Sequence, residues 1–80
     1  MGKDEIFERL NQVFRDVFDD ESILLDEATG PDDIDGWDSL AHISLIAAVE
    51  SEFGIRFDIK TAMKMKTAGE IAAAAAELLR

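Results

Sequence analysis

Eighty residues with a net charge of −10, 48% apolar side chains and no cysteine describe one small acidic domain, residues 1–80, with a modest core and a narrow stability margin. Lack of cysteine excludes a disulfide framework, a thiolate zinc site and a thiol nucleophile, so any thiol chemistry must come from outside the chain. The acidity repels nucleic acid and anionic membranes. No apolar run approaches a membrane span and the N-terminus carries no signal-peptide core, so the chain reads as cytoplasmic.

The charge is unevenly spread. Residues 1–38 hold thirteen acids against three bases, a balance of −10, whereas the five acids and five bases of residues 39–80 cancel. Such an acidic half keeps a protein soluble and steers basic partners toward it. Met1-Gly2 opens a myristoylation pattern, but Ile6 stands where that pattern needs Ser or Thr.

The chain opens with an amphipathic helix over about Lys3–Asp19: Ile6, Phe7, Leu10, Val13, Phe14, Val17 and Phe18 recur at three- and four-residue spacing. Its three phenylalanines read as the main wall of the core. A loop of about 18 residues follows, from Asp20 to Trp37, long enough to need packing or function of its own. Ile23, Leu24 and Leu25 are expected to tuck under the helices, Gly30-Pro31 marks a turn, and Ile34 and Trp37 read as a lid over the core.

The second helix begins at Asp38 or Ser39 as its cap and stops at Gly54. Leu40, Ile43, Ile46, Val49 and Phe53 form its expected apolar stripe, with Leu45 at the margin. Ile55 and Phe57 alternate in a short extended link, and Asp58 caps a single turn over Ile59–Lys64. Thr67-Ala68-Gly69-Glu70 has the form of a capping box, which places a last helix over about Ala68–Leu79 with Ile71, Ala75 and Leu78 inward. The expected fold is an all-α bundle of three main helices and one short one, with a long loop between the first and second. Phe7, Leu10, Phe14, Ile43, Ile46, Phe53, Ile59, Ile71 and Leu78 are its expected inward faces, and Met63 and Met65 fill gaps.

Asp38, Ser39 and His42 do not make a hydrolase. Asp38 adjoins Ser39 and cannot orient a histidine that in turn orients the serine. No glycine flanks the serine as a nucleophile elbow requires, and the chain is too short for the accompanying sheet. An EF-hand register on Gly36 puts Pro31 and His42 on the first and last ligand positions and fails at both. No metal site is expected beyond loose divalent association with Asp32, Asp33 and Asp35. His42 lies one turn beyond Ser39 and reads as a surface or rim histidine. Ser39 itself is presented at the positive end of a helix, where phosphate is electrostatically favoured.

Asp38-Ser39-Leu40, then His42-Ile43-Ser44-Leu45-Ile46, then Glu50-Ser51-Glu52-Phe53-Gly54 resemble the attachment segment of the acyl carrier proteins, and the order of elements matches that family over nearly all 80 residues. The resemblance implies a discrete, non-catalytic carrier. A phosphopantetheinyl transferase with Mg²⁺ would esterify Ser39 with the 4′-phosphopantetheine of coenzyme A, and acyl groups would ride on the arm as thioesters. Asp38, Leu40, Glu50 and Glu52 would meet the basic surfaces of acyl-transferring and acyl-modifying enzymes, with the carrier a monomer. The core would open to shelter an acyl chain. Fatty-acid-synthase carriers usually place acids two and five residues after the serine. Ala41 and Ser44 stand there instead, which favours a specialised fatty-acid, polyketide or lipid pathway. The competing readings are a peptidyl or aminoacyl carrier and an acidic helical adaptor that binds a basic partner, with Ser39 only a cap.

Crowding the acids into one half makes self-repulsion a destabilising term that ions relieve. The melting temperature should therefore rise with added salt or millimolar divalent cation in a thermal scan. A temperature indifferent to ionic strength would contradict it.

Overall fold

The computed structural model describes all residues from Met1 to Arg80 and contains four helices: α1 (Lys3–Phe18), α2 (Ser39–Phe53), α3 (Ile59–Lys64) and α4 (Ala68–Leu78). There is no strand, and no helix is long and apolar enough to cross a membrane. The expected all-α architecture and its order hold, with helix boundaries within a residue of those read from the sequence.

The ends of the helices follow local chemistry. Asp38 accepts the Ala41 amide at 2.8 Å and Asp58 accepts the Thr61 amide at 2.8 Å, each capping its helix. That Thr61 amide, and then the Thr61 hydroxyl, hold the Asp58 carboxyl below its ordinary range. Gly54 ends α2 in the left-handed region, at φ 67°, where a side chain would be strained. At the start of α4, Thr67 caps the Glu70 amide at 3.1 Å. The Glu70 carboxylate reaches back to the amide of Lys66, one residue earlier than a reciprocal capping box would place it.

α1 packs against α2 and α4. It contributes Ile6, Leu10, Val13 and Phe14; α2 adds Leu45, Ile46, Val49 and Phe53; α4 adds Ala68, Ile71, Ala72 and Ala75. The alanines of α4 let its backbone lie close to its neighbours, while Phe14 fills the centre with no exposed surface. Arg9 joins α1 to the end of α2. Its guanidinium lies 4.8 Å from the centre of the Phe53 ring and donates to the Glu52 carboxylate at 2.8 Å and to the Glu52 carbonyl at 2.7 Å.

Several expected core positions face solvent. Ile43, Ile59 and Leu78 are exposed, as are Leu40, Leu24 and Met63. The cause in α2 is its composition. Apolar residues occupy almost every face of its first three turns, so a stripe through Leu40 and Ile43 fits the spacing as well as one turned about 100° away. Packing on α1 selects the second phase, which buries Leu45 completely and takes His42 inward in place of Ile43. α3 spans only six residues and buries only Ala62. Ile23, Leu25, Ile34, Trp37 and Met65 are buried, and Phe7 is half-buried against the core.

The long loop is ordered by its own polar groups. Asp20 accepts the hydroxyl and amide of Ser22, which lower its pKa, and Asp26 accepts the Ala28 amide and the Thr29 hydroxyl. From α1, Asn11 accepts the Leu25 amide at 2.7 Å and Arg15 donates to the Ile23 carbonyl at 2.8 Å. At the far side the loop is clipped onto α4, where the amides of Ala68 and Gly69 donate to the carbonyls of Thr29 and Glu27 at 2.8 and 3.1 Å.

Gly69 makes that clip possible, because a Cβ there would stand 2.6 Å from the Glu27 carbonyl oxygen. Gly69→Ala should cost about 1–3 kcal/mol of stability, the usual penalty for forcing atoms into a filled space. Urea denaturation checks it. An unchanged midpoint would show that the loop yields without loss.

Candidate functional site

Ser39 is the first residue of α2 and is exposed. Its hydroxyl makes no hydrogen bond within the protein. The Asp38 side chain satisfies Ala41 and its carbonyl takes the His42 amide at 2.9 Å, so the amides of Ser39 and Leu40 have no acceptor in the chain. Two free N–H groups and the positive end of a fifteen-residue helix thus lie beside a free hydroxyl. A cleft of about 300 Å³ opens beside it, with Trp37, Ser39, His42, Met63, Met65 and Lys66 among its walls.

That geometry suits a phosphodiester on Ser39. The helix end and the neighbouring Lys66 supply positive charge, and the methionines offer an apolar wall. Asp38 is committed to capping and Leu40 stands fully outward on the next position.

The inward turn of α2 decides what His42 does. It is buried, not at the rim, and both ring nitrogens are engaged. Trp37 Nε1–H donates to Nδ1 at 3.0 Å, and Nε2 faces the Ala62 carbonyl at 2.8 Å. Accepting at Nδ1 requires the proton on Nε2, which then donates to Ala62, so the pattern defines one neutral tautomer. The Trp37 and His42 rings lie nearly coplanar, at 11° with centroids 6.1 Å apart, as their edge-to-edge hydrogen bond requires, while Trp37 also meets Phe14 edge-on at 5.3 Å and Phe18 at 6.2 Å. With both nitrogens occupied, His42 cannot serve Ser39 as a base. Sequence reasoning missed this role for lack of any local signal: the acceptor lies 20 residues away on α3.

The other expected recognition residues sit apart from Ser39. Glu50 accepts the Phe57 amide at 2.8 Å and Glu52 is held by Arg9. Both carboxylates shape the far end of α2. Asp32, Asp33 and Asp35 are exposed on the loop, and no three His, Asp or Glu side chains converge on a point where a metal ion would sit. A wider hollow of about 510 Å³ within the loop is lined by Asp26 and Asp33, both already building turns.

The model of the family described as phosphopantetheine attachment site matches residues 8–75. An acyl carrier protein of Petrotoga mobilis is 39% identical over 69 residues, spanning 84% of this chain and 79% of that one. An acyl carrier protein of Thermotoga maritima is 35% identical over 71 residues, or 88% and 86% of the two chains. The solution structure of a holo acyl carrier protein from Geobacter metallireducens is similar in fold, with a TM-score of 0.84 and 40% identity over 91% of this chain and 84% of that one.

Replacing Trp37 by Phe keeps most of the ring packing but removes the donor to His42. The stranded Nδ1 should cost about 1–3 kcal/mol. In a His42→Leu background the same change should cost less, because no acceptor is left stranded. A double-mutant cycle by chemical denaturation measures the difference, and additive losses would show that the bond contributes nothing.

Proposed function

This chain belongs to the phosphopantetheine-attachment family of acyl carrier proteins, and from that premise we propose that Ser39 is its attachment residue. The family is one of carriers, not catalysts. Its cofactor is a covalently attached phosphopantetheine, and its partners are the transferase that installs the arm and the enzymes that process the acyl group. The observation that carries the assignment is a serine hydroxyl with no internal partner, exposed at the head of α2 beside two unpaired amides.

In the loading step the Ser39 oxygen attacks the pyrophosphate of coenzyme A, forming a new P–O bond as the P–O bond to the nucleotide breaks. Its proton passes to the transferase. The free Ser39 and Leu40 amides would be available to hold the resulting phosphodiester, and Lys66 lines the cleft beside Ser39. The arm supplies the thiol that the chain lacks and holds acyl groups as thioesters.

Asp38 contributes by fixing the first turn that displays Ser39. Leu40 is the apolar contact for a visiting enzyme. Glu50 and Glu52 act through the shape of the far end of α2, since each is already held within the molecule. The exposed acids Asp32, Asp33 and Asp35 attract basic surfaces from the loop side. The protein acts as a monomeric cytoplasmic carrier of acyl cargo over residues 1–80. Uncharged Ala41 and Ser44 after the serine support a specialised fatty-acid, polyketide or lipid pathway.

Incubation with coenzyme A, Mg²⁺ and a promiscuous phosphopantetheinyl transferase should add one phosphopantetheine mass to the intact protein. Ser39→Ala should stay folded by circular dichroism and gain nothing. Modification of the alanine variant, or none of the native chain, would overturn the assignment.

A further inference from the structure

His42 is the one titratable side chain in the core, and its surroundings leave no place for a second ring proton. The Trp37 indole N–H points at Nδ1 from 3.0 Å, and Nε2 already turns its proton toward the Ala62 carbonyl at 2.8 Å. A proton added at Nδ1 would set two N–H groups head to head. The protonated ring and the Trp37 bond therefore exclude one another. The Ala62 bond is indifferent to that change, because Nε2 donates in both states.

Burial does not seal the ring from solvent. His42 forms part of the wall of two open clefts, one of about 300 Å³ shared with Trp37 and Ser39, the other of about 390 Å³ between α2 and α3. The first gives the indole room to move off the imidazole edge, and both give water a route to the ring.

The charged groups on the surrounding elements do not pair with it. Asp38 of the loop and Lys66 of the link before α4 line the first cleft. Glu50 of α2 and Arg56 of the link before α3 line the second. Both carboxylates keep their charge while Asp38 accepts the Ala41 amide and Glu50 the Phe57 amide, yet the imidazole takes part in none of the three ion pairs. α3 faces the ring with Ala62 and Met63, while its Lys60 and Lys64 are exposed and border neither cleft. α1 meets the indole with Phe14 and Phe18. A cationic imidazole held in the closed arrangement would be unpaired and would face a donor where it needs an acceptor.

We propose that Trp37 and His42 form a proton-operated latch on the cleft beside Ser39. With the ring neutral the latch is shut, as in the structure. Uptake of a proton at Nδ1 releases the indole and loosens residues 36–38, which lead into α2, while Nε2 keeps α3 attached through Ala62. From the reading of Ser39 the latch takes only the position of that residue at the head of the helix.

A single tryptophan and a single histidine make both halves of the latch separately visible. The unmodified protein is titrated from about pH 7.5 to about pH 5, a window that spans ordinary imidazole titration and lies above that of ordinary carboxylates. The Trp37 indole N–H resonance should move upfield in step with the ring-carbon resonances of His42, with one shared midpoint. The amides of Gly36, Trp37 and Asp38 should follow, that of Met63 should stay, and Trp37 emission should move to the red. His42→Gln keeps an acceptor for the indole but takes no proton, so its loop amides and emission should ignore pH. Trp37→Phe has no latch to open, and its histidine should titrate while the loop amides hold still. An imidazole that stays neutral across the window, an indole that keeps its place while the imidazole titrates, or an equal response in either variant would overturn the proposal. So would loss of helical circular dichroism before the ring titrates. Loading of Ser39 is read by mass at neutral pH and the latch by resonance shifts, so either can fail without the other.

Discussion

The bond from Trp37 to His42 holds the molecule in register. Through the indole ring the loop is packed on Phe14 and Phe18 of α1, and through the imidazole the same junction reaches the Ala62 carbonyl of α3. Four segments meet at one pair of rings. The constraint is exacting because a buried imidazole that accepts on one side and donates on the other suits only one neutral tautomer, and any slip of α2 would strand two polar groups. α3 depends on it most, since this short helix has little burial of its own.

That register also decides what is outside. With His42 and Leu45 turned inward, the head of α2 points its serine, its free amides and Leu40 at solvent. A rotation of one residue would change which side chains of α2 face the core and which face solvent. Function here is therefore a matter of helix phase as much as residue identity. Ser39 stays exposed on the same side as the buried His42 because it stands at the very start of the helix.

Much of this was legible in the chain. Asp38, Asp58, Thr67 and Gly54 marked helix ends through local chemistry that involves only neighbouring residues, and those ends stand where the spacing put them. The α1 stripe was equally plain because polar residues occupy its other face. α2 was not, because a helix apolar nearly all round carries no phase information, and only its contact with α1 resolves it. The roles of Glu50 and Glu52 were hidden for a related reason. A carboxylate that accepts a backbone amide seven residues on, or a guanidinium 43 residues back, looks in sequence like any other surface acid.

The loop taught the same lesson in reverse. Its acids read as a charged surface, yet Asp20, Asp26 and Asp33 fold the backbone by accepting nearby amides and hydroxyls. Their charge remains available to the field of the molecule while their geometry is fixed. Acidity and order are supplied by the same side chains.

Trp37 is the only tryptophan in the chain and forms one wall of the cleft beside Ser39. The chain thus carries an intrinsic fluorophore at the doorway, hydrogen-bonded edge to edge to an imidazole and buried from water. Its emission wavelength and quenching are set by the same few side chains that line the approach to the serine. Spectroscopy on the unlabelled protein can accordingly follow events at that threshold in real time, with no second indole to blur the signal.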